Sequence, residues 1–292
     1  MGSALVTGAS VGIGREIAKQ LADLGYDLII SARRTAELEE LADDIRRRND
    51  VAVTVVPADL RLSPDVDRVV SAAAEAAELT VLVNNAGFGY YGEFFSADAS
   101  LYESMIGVNV TALTRLCREL IPPMVHRRAG RVLNVASVAA FQPGPRMAVY
   151  YATKAYVLSL SEALSRELAG TGVTVTTLCP GPTRSEFHSR AGIATPEAPS
   201  GRGGGDKDRG GGQRDGSGRR GRGRGGRGNA MAHSRMPDSR TVAAYGIKAM
   251  KRGRRVAVHG LLYKLSIFAE RFLPRRLVVN AIYHLQSSRS DR

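Results

Sequence analysis

The most restrictive feature of the sequence is a regular alternation of short apolar runs with segments of helical periodicity. The apolar runs cover residues 4–7, 26–31, 51–56, 81–87, 131–137 and 173–178, with a seventh at 255–259. Helical patterns cover residues 35–48, 64–77, 101–125 and 149–168. Strands joined through helices pair in parallel, because each crossover returns the chain to the same end of the sheet. The alternation therefore predicts an α/β fold, a doubly wound three-layer sandwich with a seven-stranded, mainly parallel sheet.

A glycine-rich turn, T-G-A-S-V-G-I-G, joins the first apolar run to a helical pattern. In such a turn Gly8, Gly12 and Gly14 let the backbone approach a pyrophosphate, whose charge the helix N-terminus stabilises. The spacing G-x-x-x-G-x-G differs from the dinucleotide fingerprint G-x-G-x-x-G. The turn alone also fits a purely structural role, but its strand-turn-helix context favours nucleotide binding.

The second apolar run ends in S-A-R-R, at a place where NAD sites usually carry Asp or Glu for the adenosine ribose. Arg33 and Arg34 stand there instead. A carboxylate repels a 2′-phosphate, whereas a guanidinium binds it through two hydrogen bonds, so we expect NADP rather than NAD. The alternative is that both arginines simply begin the next helix in solvent.

Ser137, Tyr150 and Lys154 are the strongest candidates for chemistry. Ser137 closes the fifth apolar run, which places its hydroxyl at the carboxyl end of a strand, where open α/β sheets bind ligands. Tyr150 and Lys154 are four residues apart and share one face of a helix. A cation beside a phenol lowers the phenol's pKa from about 10, so we expect Tyr150 to exchange protons near neutral pH.

Two polar positions, Asn109 and Asp59, each leave two interpretations. Asn109 lies in the apolar stretch M-I-G-V-N-V-T-A-L and is either a satisfied core amide or helix kink, or part of a proton path. Asp59 follows the third apolar run and either contacts an adenine or caps the next helix or turn. The asparagines of V-L-V-N-N-A-G are expected mainly to bond the backbone where their strand ends.

The net charge of +13 is confined to the last third of the chain, since residues 1–199 carry 19 basic and 22 acidic side chains. A Gly/Arg-rich stretch at about 196–232 has almost no apolar side chains, which predicts a flexible insertion within a single domain over 1–260. Arginine-glycine tracts also occur in RNA-binding proteins. This one contains no aromatic residue on which bases could stack, so we do not expect nucleic-acid binding.

Residues 261–292 form a basic amphipathic extension. Leu261, Leu265, Phe268 and Phe272, here called the C-terminal stripe, make an apolar helical face that ends at Pro274. We expect the stripe to pack on the parent domain or a partner subunit, and the alternative is peripheral contact of 261–285 with a membrane surface. With two isolated cysteines and no pattern of a signal peptide or membrane span, we expect a cytoplasmic protein, membrane-associated if that alternative holds, without a metal site.

Together these motifs closely resemble the short-chain dehydrogenase/reductases. The motifs are T-G-A-S-V-G-I-G, N-N-A-G, Asn109, Ser137, Y-Y-A-T-K and P-G-P-T, in this order. The resemblance covers residues 1 to about 190 and resumes near 238–260. It implies a Rossmann-type domain, a nicotinamide dinucleotide, a small carbonyl or alcohol substrate, and a homo-oligomer that is commonly a dimer or tetramer.

The resemblance also implies roles for individual residues. Tyr150 acts as general acid in reduction and as base in oxidation, and Lys154 holds the nicotinamide ribose and lowers the pKa of Tyr150. Ser137 binds the substrate oxygen, and Asn109 anchors a water relay. The implied cofactor-binding residues, besides Tyr150 and Lys154, are Gly8, Ser10, Gly12, Ile13, Gly14, Arg33, Arg34, Asp59, Leu60, Asn85, Ala86, Gly87, Pro180, Gly181 and Thr183.

These implications predict an NADP-dependent oxidoreductase that moves a hydride between NADPH and a carbonyl or alcohol. The Gly/Arg-rich insertion falls where the family carries a lid over the substrate, so the substrate does not follow from the sequence. The alternative is a non-catalytic dinucleotide-binding scaffold with an RNA-associating Gly/Arg-rich segment. A complete Ser-Tyr-Lys-Asn set favours the enzyme.

Overall fold

A computed structural model describes residues 2–76, 78–184 and 236–287. Its seven strands are β1 Ser3–Thr7, β2 Asp27–Ala32, β3 Val53–Pro57, β4 Leu79–Asn84, β5 Gly130–Val135, β6 Val173–Cys179 and β7 Val256–Val258. They form one sheet in the order β3-β2-β1-β4-β5-β6-β7, and all neighbouring strands are parallel. The predicted doubly wound fold is confirmed. The Gly/Arg-rich insertion predicted at about 196–232 lies outside the described residues.

The α-helices of the described residues cover both faces of this sheet. They are α1 Gly12–Ala22, α2 Thr35–Arg48, α3 Ser63–Glu75, α4 Ala99–Ile106, α5 Leu113–His126, α6 Ala148–Glu167, α7 Ser239–Lys251, α8 Leu261–Glu270 and α9 Arg275–Ser287. Two short 3₁₀ turns lie at Phe94–Ser96 and Val138–Phe141.

Side chains of the central strand β1 alternate between two apolar cores, because successive residues of a strand point to opposite faces. Ala4 and Val6 pack with residues of α1, α2 and α7, whereas Leu5 packs with residues of α3, α5 and α6. Every residue of β1 is buried. Burial on both faces explains why these strands read as continuous apolar runs.

The direction of strand addition reverses between β1 and β4. From β1 the chain adds β2 and β3 on one side, and from β4 it adds β5, β6 and β7 on the other. At such a switch point the following segments diverge and leave a crevice at the carboxyl ends of the strands, where doubly wound sheets bind ligands. The glycine-rich turn follows β1, and Asn85 follows β4, so both lie at this crevice.

The helical segment predicted over 101–125 is confirmed, but it contains a π-helical turn that the sequence did not predict. Helix α4 ends at Ile106, a π-helical turn spans Gly107–Ala112, and α5 begins at Leu113. A π turn adds one residue to a helical turn and is common at functional sites. Because Asn109 lies within it, this local expansion sets the direction of its side chain.

Of the two partners expected for the C-terminal stripe, the parent domain or a partner subunit, the parent domain is wrong. Each residue of the stripe is between 56% and 74% exposed. Helix α8 faces the domain with other side chains: Tyr263 lies against Gly181, and Glu270 lies beside the side-chain amide of Gln142, whose nitrogen donates to it when the amide oxygen and nitrogen are assigned to satisfy both groups. Since Tyr263 and Glu270 are two helical turns apart, they share one face of α8, and the stripe lies outside it.

Among the described residues, no helix combines the length and apolar content needed to cross a bilayer.

A chain of buried polar groups ties the elements that carry the site. Asn84 of β4 donates to Asn134 of β5 at 2.9 Å, and Asn134 donates to Ser161 of α6 at 2.9 Å. All three side chains are buried. The chain fixes β4, β5 and α6 together beneath the crevice, because each buried group depends on the next for its partner.

We expect Asn134→Leu to lower the free energy of unfolding by about 1–3 kcal/mol, since it leaves Asn84 and Ser161 buried without this partner. Thr176 supplies the control, because its buried hydroxyl has no hydrogen-bond partner in the described part of the chain. Thr176→Val should be neutral or stabilising. Urea unfolding measures both variants, and an equal loss in the two would contradict this account of the polar chain.

Candidate active site

A cavity of about 790 Å³ opens at the carboxyl ends of the central strands. This volume lies within the range of small-molecule and cofactor sites. All the predicted site residues line the cavity except Gly14 and Asn109. The sequence motifs therefore converge on one place in the fold.

The glycine-rich turn is held tightly against the loop after β4. Gly8 has a positive φ of 65°, and a Cβ at this position would lie 2.8 Å from the Cα of Ala86. A Cβ on Gly14 would lie 2.3 Å from the side-chain amide nitrogen of Asn85. Gly14 is thus required for packing between the first helix and the strand ends, and Gly8 for both the turn and the close approach.

Asn85 and Thr7 lock the ends of β1 and β4 together. The Asn85 amide donates to the carbonyl oxygens of Thr7 at 3.0 Å and Gly8 at 3.1 Å. The Thr7 hydroxyl accepts the backbone N–H groups of Asn85 and Ala86, both at 3.1 Å. The expected hydrogen bonding to the backbone is confirmed for Asn85. The side chain of Asn84 instead donates to Asn134 in the chain of buried polar groups. Thr7 was not among the predicted site residues, although this residue opens the T-G-A-S motif.

Helix α1 begins without a side-chain cap. Its N-cap residue is Val11, and its first turn contains no acidic residue. The first N–H groups of a helix have no partner within the helix and attract anions. With the glycine-rich turn beside them, these groups form a cradle that fits a pyrophosphate.

The cavity has a basic rim formed by Arg33, Arg34 and Arg61. Arg33 is exposed and makes no hydrogen bond or ion pair with the described part of the chain. Arg34 pairs with Glu37 at 2.9 Å and donates to Ser10 at 3.4 Å. Arg33 therefore offers a guanidinium that a bound phosphate can reach.

Asp59 is engaged by Arg61, a residue that the motifs did not predict. The Arg61 Nε donates to both carboxylate oxygens of Asp59, at 2.9 and 3.0 Å. This hydrogen bonding holds the pKa of Asp59 below its ordinary value. The carboxylate also accepts the backbone N–H of Arg61 at 3.1 Å, so it closes a local turn. It does not cap a helix, and it lines the cavity as a charged, already paired group.

Tyr150 and Ser137 meet at the inner end of the cavity. Ser137 accepts the backbone N–H of Ala139 at 3.1 Å, which fixes its hydroxyl at the start of a 3₁₀ turn. Burial raises the pKa of Tyr150 above its ordinary value, and the hydrogen bond with Ser137 opposes this shift only in part. The expected lowering of the phenol's pKa is therefore wrong for this site. Tyr150 is protonated at neutral pH, as a general acid must be.

Lys154 is buried beside the tyrosine ring. Its Nζ donates to the carbonyl of Val135 at 2.9 Å and lies 5.9 Å from the centre of the Tyr150 ring. Burial lowers the pKa of Lys154 to about 8. The side chain is therefore a cation at neutral pH and loses its charge under mildly alkaline conditions.

The Asn109 side chain connects two elements of the site through hydrogen bonds. Its amide nitrogen donates to the carbonyl of Phe88 at 2.9 Å and to the hydroxyl of Thr153 at 3.0 Å, and its oxygen accepts the N–H of Phe88 at 3.1 Å. Both amide hydrogens are thus used. The structure gives this side chain a positioning role, joining the loop after β4 to helix α6, and the water relay stays a prediction.

Comparison with known proteins decides the family. A profile of the short chain dehydrogenase family matches residues 3–193. The chain belongs to this family. Its members are oxidoreductases that act on alcohol and carbonyl groups, so the chain is an oxidoreductase, as predicted.

Individual short-chain dehydrogenases are similar to the chain at moderate identity. A sulfoacetaldehyde reductase of Chromohalobacter salexigens is 37% identical over 185 residues, which cover 62% of this chain and 72% of the relative. The solved short-chain dehydrogenase from Sphingobium yanoikuyae in complex with NADPH has a TM-score of 0.74 and 30% identity, covering 93% and 94% of the two chains. A short-chain dehydrogenase/reductase from Burkholderia phymatum in complex with NAD has a TM-score of 0.72 and 26% identity, covering 91% and 92%.

This short-chain dehydrogenase has one cavity wall that its motifs did not predict. Tyr151, which lines the cavity, accepts a hydrogen bond from the Gln286 amide of α9 at 2.9 Å. The backbone carbonyl of Gln286 accepts the hydroxyl of Tyr91 at 2.6 Å. Gln286 is only 5% exposed. The C-terminal extension therefore buttresses the residue next to Tyr150, a contact between distant positions for which the sequence carries no local signal.

The buried Lys154 predicts a specific pH dependence of stability. Its pKa is about 8 in the folded protein, against about 10.4 in an unfolded chain. Between these values the unfolded chain binds more protons, so stability rises with pH through this charge. We expect the wild type to gain about 1.4 kcal/mol per pH unit relative to Lys154→Met within this window.

Urea unfolding of both proteins without cofactor, between about pH 7 and pH 10, measures this gain. The exposed Lys248→Met replacement is the matched control, because it removes the same group from the surface. A stability difference between wild type and Lys154→Met that does not change with pH would show that Lys154 is not buried as a cation.

Proposed function

We propose that this short-chain dehydrogenase is an NADP(H)-dependent carbonyl reductase or alcohol dehydrogenase, with Tyr150 as its general acid and base. The observation that carries the proposal is a protonated, buried phenol, hydrogen-bonded to Ser137, inside the same cavity as an uncapped helix N-terminus and a basic rim. Hydride transfer to a carbonyl requires a site for the cofactor, hydrogen-bonding groups that hold the carbonyl oxygen, and a proton donor.

The cavity fits a nicotinamide dinucleotide along its length. The turn around Gly8 and the first N–H groups of α1 would hold the pyrophosphate. The loop after β3, with Leu60, would contact the adenine. Arg33 and Arg34 would bind a 2′-phosphate, which favours NADP. At the other end, Pro180 and the residues to Thr183 would hold the carboxamide.

When bound, the dinucleotide supplies the hydride in reduction and accepts it in oxidation. Ser137 and Tyr150 hold the substrate oxygen through their hydroxyl groups. As that oxygen gains negative charge, Tyr150 transfers its phenolic proton to it. The Lys154 ammonium, near the ring, then stabilises the phenolate that remains. In oxidation the phenolate takes the proton of the alcohol, and the same contacts operate in reverse.

The cavity wall around Tyr150 favours an apolar carbonyl substrate. Phe88, Leu101, Met147 and Tyr151 contribute to its lining. Apolar lining with a few polar groups is typical of small-molecule sites, in which the polar groups set orientation. The homo-oligomer implied by the resemblance remains a prediction.

A substrate panel tests the proposed function. Ketones, aldehydes, sterols and acyl thioesters are incubated with the protein, and consumption of NADPH and of NADH is followed by absorbance. We expect turnover with at least one apolar carbonyl and a preference for NADPH. Binding of NADPH without turnover of any class would instead support the non-catalytic scaffold.

Replacing the phenolic hydroxyl tests the role of Tyr150. We expect Tyr150→Phe to reduce kcat about 10²- to 10⁴-fold, because the proton donor is lost, while NADPH binding measured by fluorescence is retained. Tyr151→Phe removes the same atom one residue away and should keep most of the turnover. Loss of NADPH binding in Tyr150→Phe would count against the assigned role.

The cofactor preference rests on the basic rim. We expect Arg33→Gln to weaken NADPH binding about 10-fold or more, the value of a charge-assisted hydrogen bond, and to leave NADH binding unchanged. Arg118→Gln, which removes an exposed arginine from α5, is the control. Titrations of both cofactors against the three proteins give the dissociation constants. Equal weakening for NADPH and NADH would contradict a 2′-phosphate contact.

A further inference from the structure

The segment that joins α8 to α9 presents apolar and basic side chains to solvent together. We call residues 268–277 the basic-apolar turn. Its exposed apolar side chains are Phe268 at 59%, Phe272 at 74%, Leu273 at 51% and Leu277 at 58%. Large apolar side chains scattered singly on a surface are ordinary, whereas a contiguous group of them marks a surface that binds something apolar.

The charges of this segment all have one sign on the outward side. Arg271, Arg275 and Arg276 are exposed beside the apolar group. Across 261–287 the single acidic residue is Glu270. Its carboxylate is turned inward to the amide of Gln142. No carboxylate of these two helices therefore neutralises the outward arginines.

The two helices are anchored on the wall of the cavity. A Cβ on Gly181 would lie 2.3 Å from the ring of Tyr263, so α8 rests directly on a residue that lines the cavity. Helix α9 is held by the hydrogen bond from Gln286 to Tyr151 and by the buried side chain of Ile282. The inward contacts are thus satisfied, and the basic-apolar turn is left facing outward.

We propose that the basic-apolar turn is a membrane-docking surface for anionic phospholipid. Guanidinium groups bind lipid phosphates, and the phenylalanine and leucine side chains enter the boundary between headgroups and acyl chains. A second copy of the chain fits less well. A two-fold contact centred on this turn would place Arg271, Arg275 and Arg276 of one copy against the same residues of the other. Neither helix needs to span the bilayer for this mode of binding.

The absence of tryptophan from the chain makes the proposal directly testable, because Phe272→Trp provides a single tryptophan at the turn, which can be excited selectively over the tyrosines. The full-length variant is titrated with vesicles of phosphatidylcholine alone and with vesicles that also contain phosphatidylglycerol. We expect the emission maximum to shift to shorter wavelength on anionic vesicles and to stay unchanged on neutral ones. No shift on anionic vesicles would overturn the proposal. So would a short-wavelength maximum without lipid that depends on protein concentration, since it would identify a second copy.

Charge variants in the Phe272→Trp background separate the turn from the basic character of the chain as a whole. We expect Arg275→Gln with Arg276→Gln to lower partitioning about 10- to 30-fold, at about 1 kcal/mol per arginine near the surface. The matched control is Arg252→Gln with Arg254→Gln, which removes equal charge from an exposed segment before β7. This control should leave partitioning unchanged. Equal losses in the two double variants would attribute binding to bulk charge and overturn the proposal.

Discussion

The hydrogen bonds of the Thr7 hydroxyl to the backbone of Asn85 and Ala86 fix the point on which the rest of the site depends. They join the ends of β1 and β4, the two strands between which the winding of the sheet reverses. Asn85 returns hydrogen bonds to the backbone of Thr7 and Gly8. The glycine-rich turn is thereby set against the crevice, and the N-terminus of α1 is directed at the same space. The strand order creates the crevice in which the cofactor cradle lies. The hydrogen bonds of Thr7 and Asn85 hold the cradle in a fixed position there.

Burial controls the chemistry at the other end of the cavity. It raises the pKa of Tyr150 and lowers that of Lys154, because each charged form is disfavoured away from water. The tyrosine is thereby kept as a proton donor, and the lysine remains a cation only up to mildly alkaline pH. A buried ammonium costs stability, and the Lys154 Nζ donates one hydrogen bond to a carbonyl and lies near the Tyr150 ring. Such a cost is typical of functional sites, where a residue is kept for its chemical role although it lowers the stability of the fold.

The sequence allowed prediction of the sheet, the cavity and the motif residues because each depends on local patterns. Strands buried on both faces read as apolar runs, and glycines recur where the backbone must approach closely. The π turn at Asn109 escaped prediction because one extra residue in a helical turn leaves the periodicity nearly intact. The roles of Arg61 and Gln286 were not predicted, because their contacts with Asp59 and Tyr151 depend on the folded chain and not on a sequence motif. Packing of the C-terminal stripe on the parent domain was expected but is not found, since periodicity identifies an apolar face but not what covers it.

The proposed function requires the cavity to bring a hydride and the phenolic proton of Tyr150 to the two ends of one carbonyl bond. An isotope experiment uses NADPH in which both hydrogens at C4 of the nicotinamide are replaced by deuterium, with a ketone that the protein turns over, and mass spectrometry of the alcohol. We expect one deuterium on the carbinol carbon with wild-type protein, and with Tyr150→Phe no deuterated alcohol above the trace expected from its residual rate. An alcohol without deuterium at that carbon, or equal labelling by the variant, would contradict it.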